Sequence, residues 1–365
     1  MKIAFICNCL EPGKDGVSDY ATLLAGECER HGHPTRMLAL NDPFVASTAA
    51  VEAGARFSSS LSWAVRIEKA ADQIRKFAPD FVSLQFVCYG FHPRGIDLFL
   101  AARLREIIGS SPVQIMFHEI WIGTGREAGF KDRFMGAIQR YGILRILRAL
   151  DVRVVHTSNA PYAASLRACG LAASILPLFG SVPQPPPGRA LRRRGDTLVF
   201  GLFGTLHPVW PPEPLITNLI KTGKKIEIAH IGRIGHAGEA LWEKLVRDYG
   251  RNIKIRRLGE QPLESIAEFF SSEIDFGIST TPWALTGKSA TVASMLEHGL
   301  PVIVNRDDWH STIEIPEQAF SPLLIRMDNS FFAKLSASRR SEPKAILPEI
   351  AAQFLRDLHN SIGSS

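Results

Sequence analysis

The chain has 365 residues, long enough for two separate cores, and its 45% apolar and 21% charged content is that of an ordinary globular protein. A net charge of +6 without any nucleic-acid-reading motif excludes nucleic acid as the expected partner. No apolar run approaches the roughly 20 residues that a membrane-spanning helix needs.

The chain opens on the apolar run Ile3–Asn8, cut short by Asn8 and Glu11, which fits a first strand better than a secretory signal. A helix follows over Asp19–Gly32, then a strand over Thr35–Leu40 and a helix over Trp63–Phe77, stopped by Pro79. Strand Phe81–Phe86, helix Gly95–Ile108, strand Val113–His118 and the long helix Asp132–Leu150 continue the alternation. Val152–Thr157 and Ser174–Leu176 read as short strands flanking a helix over Ala160–Cys169. Strands alternating with helices imply a parallel, doubly wound sheet. Around the long helix, Arg126, Lys131, Arg133, Arg140, Arg145, Arg148 and Arg153 alternate with apolar residues. That pattern fits a solvated helix face, and it also fits peripheral contact with an anionic membrane surface.

Residues 182–196, rich in proline and arginine, cannot form a core and mark a linker. The alternation then restarts with strand Leu198–Phe203, helix Pro212–Thr222, strand Lys225–Ile231, helix Ala240–Tyr249 and strand Ile253–Leu258. Helix Leu263–Ser271, strand Ile274–Ile278, a helix opened by Gly287-Lys288-Ser289 and strand Val302–Val304 complete it. Ala345–Leu358 is a last amphipathic helix. The domains expected are therefore residues 1–181 on the acceptor side, the 182–196 linker, residues 197–340 on the donor side, and 341–365, a helix that packs back on the domains. Both domains are α/β, doubly wound and Rossmann-like. Ligands of such sheets bind beyond the carboxyl ends of the strands, so two facing edges would form a cleft.

The segments leaving those strand ends hold the candidate site residues. In the first domain, Gly13-Lys14-Asp15-Gly16 reads either as a ligand loop or as an ordinary strand-to-helix turn with Ser18 or Asp19 as N-cap. His118 leaves an apolar strand, where a neutral imidazole can both donate to and accept from a sugar hydroxyl; Glu119 would orient it or bind the acceptor. In the second domain, Gly204 with Thr205, Gly232 and Gly259 follow successive strands and permit close approach of backbone to ligand. Thr280, Thr281, Gly287, Lys288, Ser289 and Thr291 gather hydroxyls, a charge and a helix N-terminus, a combination suited to a diphosphate. The spacing is not that of a P-loop, since Pro282 stands where the upstream glycine would be. Cys7, Cys9, Cys28, Cys88 and Cys169 form neither a redox nor a zinc pattern and read as reduced thiols of a cytoplasmic protein. No metal site and no cofactor is expected, and no Asp-x-Asp motif is present.

These residues resemble the GT-B-fold glycosyltransferases, and among them the retaining, nucleotide-sugar-dependent family four group. The resemblance rests on the first loop and helix ending in R-H-G-H, on VSLQFVCYGF, on FHEIW at residues 117–121, on LFGTLHP and HIGRIG, and on residues 274–304 with H-G-L-P-V. It implies a metal-independent transferase that moves a sugar from a nucleotide diphosphate donor to a hydroxyl acceptor (saccharide, lipid-linked or small molecule) with retention. It also implies that His118 lies by the donor sugar and acts in catalysis; the thiols and the basic helix point to the cytoplasm or to the inner membrane face. The family's two glutamates, eight positions apart, are replaced here by Thr286 and Ser294, with Glu297 one turn along. The family's Arg and Lys after the first strand of the second domain are also absent, since Leu206-His207-Pro208 stands there. These departures motivate the alternative of a catalytically weak GT-B nucleotide-binding partner or regulatory subunit. A sugar-nucleotide epimerase finds no catalytic carboxylates at recognisable spacing.

Overall fold

The computed structural model describes residues 1–51, 54–184, 196–316 and 319–362. Residues 185–195 of the expected 182–196 linker lie outside the described residues. The chain divides into two compact units: residues 1–177, 311–316 and 347–365 form the first, and 178–310 with 317–346 the second.

The first unit is built from β1 (Ile3–Cys7), α1 (Gly16–Arg30), β2 (Thr35–Asp42), β3 (Thr48–Val51), β4 (Gly54–Ser58), α2 (Trp63–Phe77) and β5 (Phe81–Phe86). It continues with α3 (Cys88–Phe91), α4 (Leu100–Ile108), β6 (Val113–Phe117), α5 (Phe130–Ala149), β7 (Val152–Thr157), α6 (Ala160–Arg167) and β8 (Ala173–Ile175). Eight strands lie in the order β3-β4-β2-β1-β5-β6-β7-β8, parallel except for the antiparallel β3–β4 pair. The chain leaves β1 toward β2 and resumes on its other side with β5, so the topological switch point lies between β1 and β5. Every residue of β1, β5 and β6 is buried, as both faces of a covered parallel sheet require.

The second unit comprises β9 (Thr197–Phe203), α7 (Pro212–Ile220), β10 (Lys225–Ile231), α8 (His236–Tyr249), β11 (Lys254–Gly259), α9 (Leu263–Glu268), β12 (Phe276–Ser279), α10 (Ala290–Glu297), β13 (Val302–Val304), β14 (Leu324–Arg326) and α11 (Phe331–Ala337). A π-helical turn over Phe269–Glu273 extends α9. Its six strands run parallel in the order β11-β10-β9-β12-β13-β14, with the switch point between β9 and β12. Phe200, Leu202, Leu215, Ile228 and Ile303 are among the residues of its core.

The last helix, α12 (Leu347–Ile362), belongs to the first unit and packs on α1 and β7. Its buried stripe is Ile350, Ala351, Phe354 and Leu358, and Phe354 meets Phe5 at 5.9 Å between ring centroids. Burial of a side chain such as Phe354 contributes roughly 1.5–3 kcal/mol.

Several elements depart from the sequence reading. The β3–β4 hairpin was not expected, because β3 is short and only partly buried and so shows no alternation. Gly54 lets β4 lie against β2: a Cβ there would stand 1.7 Å from the Met37 carbonyl oxygen. The short helix α3, strand β14 and helix α11 were likewise not anticipated. Helix α4 starts at Leu100 and not at Gly95, since Gly95 has φ +65° and Asp97 is turned back to accept from the Phe99 N–H. Helix α1 starts at Gly16, earlier than Asp19, with Asp15 as its N-cap in place of Ser18 or Asp19.

Candidate functional site

In the first unit the segments at the carboxyl ends of β1, β5 and β6 carry the candidates. The Asp15 carboxylate caps α1 at Val17 N (2.9 Å) and accepts from Asn8 Nδ2 at 2.8 Å, so it is taken up in shaping the turn. Gly13 has φ +68° and donates its N–H to Asp19, while Lys14 and Gly16 are exposed at the lip of that turn. Glu119 is half-buried, and its charge adds to burial in pushing the Cys88 thiol up to about 12.

His118 is buried one residue beyond β6, with its ring edge-on to Tyr20 at 4.9 Å. Burial pushes its pKa down to about 3, so the ring is neutral at any ordinary pH. Its Nε2 meets Gln85 Oε1 at 2.8 Å. Gln85 is one of four wholly buried polar side chains on this face of the sheet, with Ser83, Gln114 and His156.

In the second unit Gly204 and Gly232 follow β9 and β10 and Gly259 ends β11, all with positive φ. They are laced together: Gly204 N donates to Ile231 O, and Gly232 N to Gly259 O at 2.7 Å. Beneath them His230 is fully buried and donates from Nε2 to Gly204 O at 2.7 Å, a support that sequence reasoning missed. Thr205 is exposed on the turn, with its methyl group nearest Gly235.

The segment after β12 differs from its expected form. Residues Trp283–Lys288 make a 3-10 turn, and α10 begins only at Ala290. Gly287 and Lys288 therefore precede the helix without opening it, and Ser289 is its N-cap, accepting from Val292 N and pairing with Thr291 Oγ1 at 2.9 Å. Thr280 Oγ1 receives the His207 N–H at 3.4 Å, and Thr281 N is held by Ser279 Oγ at 3.1 Å. Across this switch point Arg306, 5% exposed and two residues beyond β13, donates to Thr280 O at 3.1 Å and binds Asp308. The His207 pKa is lowered by burial first, then by Arg306 and Lys288. The nearby Asp308 carboxylate acts in the opposite sense. Arg306 was missed in the sequence; its place at the carboxyl end of an apolar strand, V-I-V-N-R, was the available signal.

The two positions that replace the glutamate pair are turned to internal use. Thr286 donates to Trp283 O, and the fully buried Ser294 accepts from Ser181 N at 3.2 Å. Glu297, which one helical turn of offset had made a substitute carboxylate, accepts from Gly180 N at 2.6 Å, and burial pushes its pKa up to about 7. It holds the 180–184 segment, so it is no substitute for the missing pair. Among the described residues no group of three or more His, Cys, Asp or Glu is placed to hold a metal ion, and no helix is long and apolar enough to cross a membrane. All five cysteines are free thiols.

No family model and no curated protein matches the chain. Solved structures do. The lipopolysaccharide outer core galactosyltransferase WaaB, apo form, is similar over 100% of this chain and 99% of its own, at 15% identity and TM-score 0.55. Anabaena HepE, in complex with UDP and glucose, is similar over 98% and 99%, at 15% identity and TM-score 0.60. The chain has the GT-B fold. Arabidopsis thaliana starch synthase IV, whose catalytic domain is bound to ADP and acarbose, shares that GT-B fold over 100% and 99% at 10% identity and TM-score 0.57. The glycines of β9 to β11, Lys288 after β12 and Arg306 after β13 all lie at or after the carboxyl ends of the strands of the second sheet.

Proposed function

We propose that the protein is a glycosyltransferase that moves a sugar from a nucleotide diphosphate donor to a hydroxyl acceptor, with retention and without a metal. The observation that carries this reading is the placement of two cations at the carboxyl ends of the adjacent strands β12 and β13: Lys288, immediately ahead of the Ser289 N-cap of α10, and Arg306, bonded to Thr280 O. A leaving nucleoside diphosphate develops negative charge, and fixed cations and backbone N–H groups are what stabilise it. Support also comes from the similar structures that hold UDP and glucose or ADP and acarbose.

The second reading, a nucleotide-binding partner with weak activity, is favoured by the internal use of Thr286, Ser294 and Glu297. A thermal-shift panel of nucleotides, followed by donor incubation, separates the two readings. A transferase is stabilised by its nucleoside diphosphate through mass action and slowly releases that diphosphate from intact donor to water. A pure binder is stabilised but releases none, an epimerase alters the sugar, and no stabilisation by any nucleotide ends both leading readings. The anomeric configuration of the product reports retention.

The acceptor is read as membrane-borne, at the cytoplasmic face. Helix α5 presents Phe130, 86% exposed, stacked on Phe134, 58% exposed, with Lys131, Arg133, Arg140 and Arg148 also exposed. Aromatic side chains among cations suit an anionic lipid surface better than a purely solvated face does. Sedimentation with vesicles containing anionic lipid should carry the protein down, and F130A/F134A should reduce the bound fraction. Equal recovery with zwitterionic vesicles would remove this reading.

A further inference from the structure

Polar side chains in a covered parallel sheet are costly unless satisfied, and here four of them join His118 to the last helix. The route begins at Asp357 on α12, whose Oδ2 lies 2.9 Å from His156 Nε2. His156 Nδ1 is 3.2 Å from Gln114 Nε2, and Gln114 Oε1 takes the Ser83 hydroxyl at 2.6 Å. Ser83 Oγ in turn accepts from Gln85 Nε2 at 2.7 Å, and Gln85 Oε1 meets His118 Nε2 at 2.8 Å. Ser83, Gln85, Gln114 and His156 are all 0% exposed, so no water competes along the way. The alternation of strands makes this possible: Ser83 and Gln85 share one face of β5, and Gln114 and His118 share that face of β6.

The chemistry of each group gives the route one direction. A carboxylate only accepts, so His156 donates from Nε2, and its Nδ1, which faces the amide nitrogen of Gln114, accepts. Gln114 supplies that N–H and therefore turns its carbonyl to Ser83. Ser83 spends its proton there and accepts from the amide nitrogen of Gln85. The Gln85 carbonyl is left to accept from His118 Nε2–H. Reversing any one bond between His156 and His118 sets two donors or two acceptors face to face, so those four bonds reverse together or not at all, and the carboxylate of Asp357 holds them in one sense.

We propose that Asp357 is a positioning residue that fixes the ring tautomer of His118 through this relay. His118 carries its proton on Nε2, and Nδ1, which makes no hydrogen bond among the described residues, keeps its lone pair for a hydroxyl of the donor sugar. The low pKa of the buried ring keeps that lone pair available. Without the Asp357 carboxylate, His156 is free to hold its proton on Nδ1. Both amides then flip, and His118 becomes an Nδ1–H donor with no acceptor to offer. The sugar contact rests on the transferase reading above; the tautomer does not.

The test reads the rings directly. Two-bond 1H–15N correlation spectra of the full-length protein, 15N-labelled at histidine and assigned with His118→Gln and His156→Gln, report which nitrogen carries each proton. In the unsubstituted protein both His118 and His156 should be neutral with the proton on Nε2, and His118 on Nδ1 would overturn the proposal with no variant needed. In Asp357→Ala both rings should gain Nδ1–H population in step, whereas Ser83→Ala should uncouple them. A His118 signal unmoved in Asp357→Ala, whether or not His156 changes, overturns the remote control. Asp357→Ala should lower turnover of the intact donor about 2- to 10-fold, as loss of one ordinary hydrogen bond would, with nucleoside diphosphate affinity unchanged. If no donor turns over but the tautomers behave as stated, the transferase reading fails and the relay stands.

Discussion

Replacing Lys288 with alanine should weaken nucleoside diphosphate binding by roughly 1.5–3 kcal/mol, about 10- to 150-fold, the range for a hydrogen bond to a charged group. Lys288 closes the 3-10 turn immediately ahead of Ser289, the N-cap of α10, where a diphosphate would meet the helix N-terminus. Half-buried on a loop outside the core, it should leave the melting temperature of the ligand-free protein unchanged. Arg306 makes a poorer probe. Its guanidinium also holds Thr280 O and Asp308, so its removal would loosen the loop as well as remove charge. Calorimetry with the tightest nucleotide of the panel decides, and unchanged affinity in Lys288→Ala would rule out the diphosphate assignment.

On the proposed reading, in which the His118 ring meets the donor sugar and not the nucleotide, His118→Ala should cut transfer by about 10- to 100-fold while nucleoside diphosphate affinity stays near that of the unsubstituted protein. The folded-state pKa is depressed to about 3, so the neutral ring persists as pH falls through the usual histidine range near 6.5. The rate profile of the unsubstituted enzyme between pH 5 and 9 should therefore carry no inflection belonging to His118. Packing against Tyr20 makes some loss of stability in the alanine variant unavoidable. His118→Gln, which keeps bulk and an amide, serves as the control. Parallel losses of transfer, diphosphate affinity and melting temperature in both variants would mark His118 as structural only.

The strand ends were legible because short stretches rich in β-branched and aromatic residues, bounded by turn residues, stand out even where polar residues interrupt them. Phe81–Phe86, Val152–Thr157, Lys225–Ile231 and Val302–Val304 match their expected limits. Helix starts were less legible. Asp15, Ser18 and Asp19 are all chemically able to cap α1, and only the observed turn, with Asp15 also taking the Asn8 amide, decides among them. Gly287-Lys288-Ser289 reads as the opening of a helix, yet Gly287 and Lys288 end a separate 3-10 turn over Trp283–Lys288, because Ser289 adopts an extended conformation and starts α10 afresh.

By itself the sequence determined the order of strands and helices apart from the β3–β4 hairpin, α3, β14 and α11, the doubly wound class of both sheets and the glycines at the ends of β9 to β11. All of these follow from local periodicity and from the backbone conformations that single residues permit. It also showed polar residues inside apolar strands, Ser83 and Gln85 in β5, Gln114 in β6 and His156 in β7, without saying what they meet. Their partners were decided by tertiary structure alone. A side chain on one strand finds its neighbour through the lateral order of the sheet, which pairs Ser83 with Gln114 across 31 residues of sequence. Asp357 reaches His156 across 201 residues only because α12 returns to pack on β7. The same holds for Arg306 beside Thr280 and for Glu297 beneath Gly180, whose roles depend on contacts that no local spacing encodes.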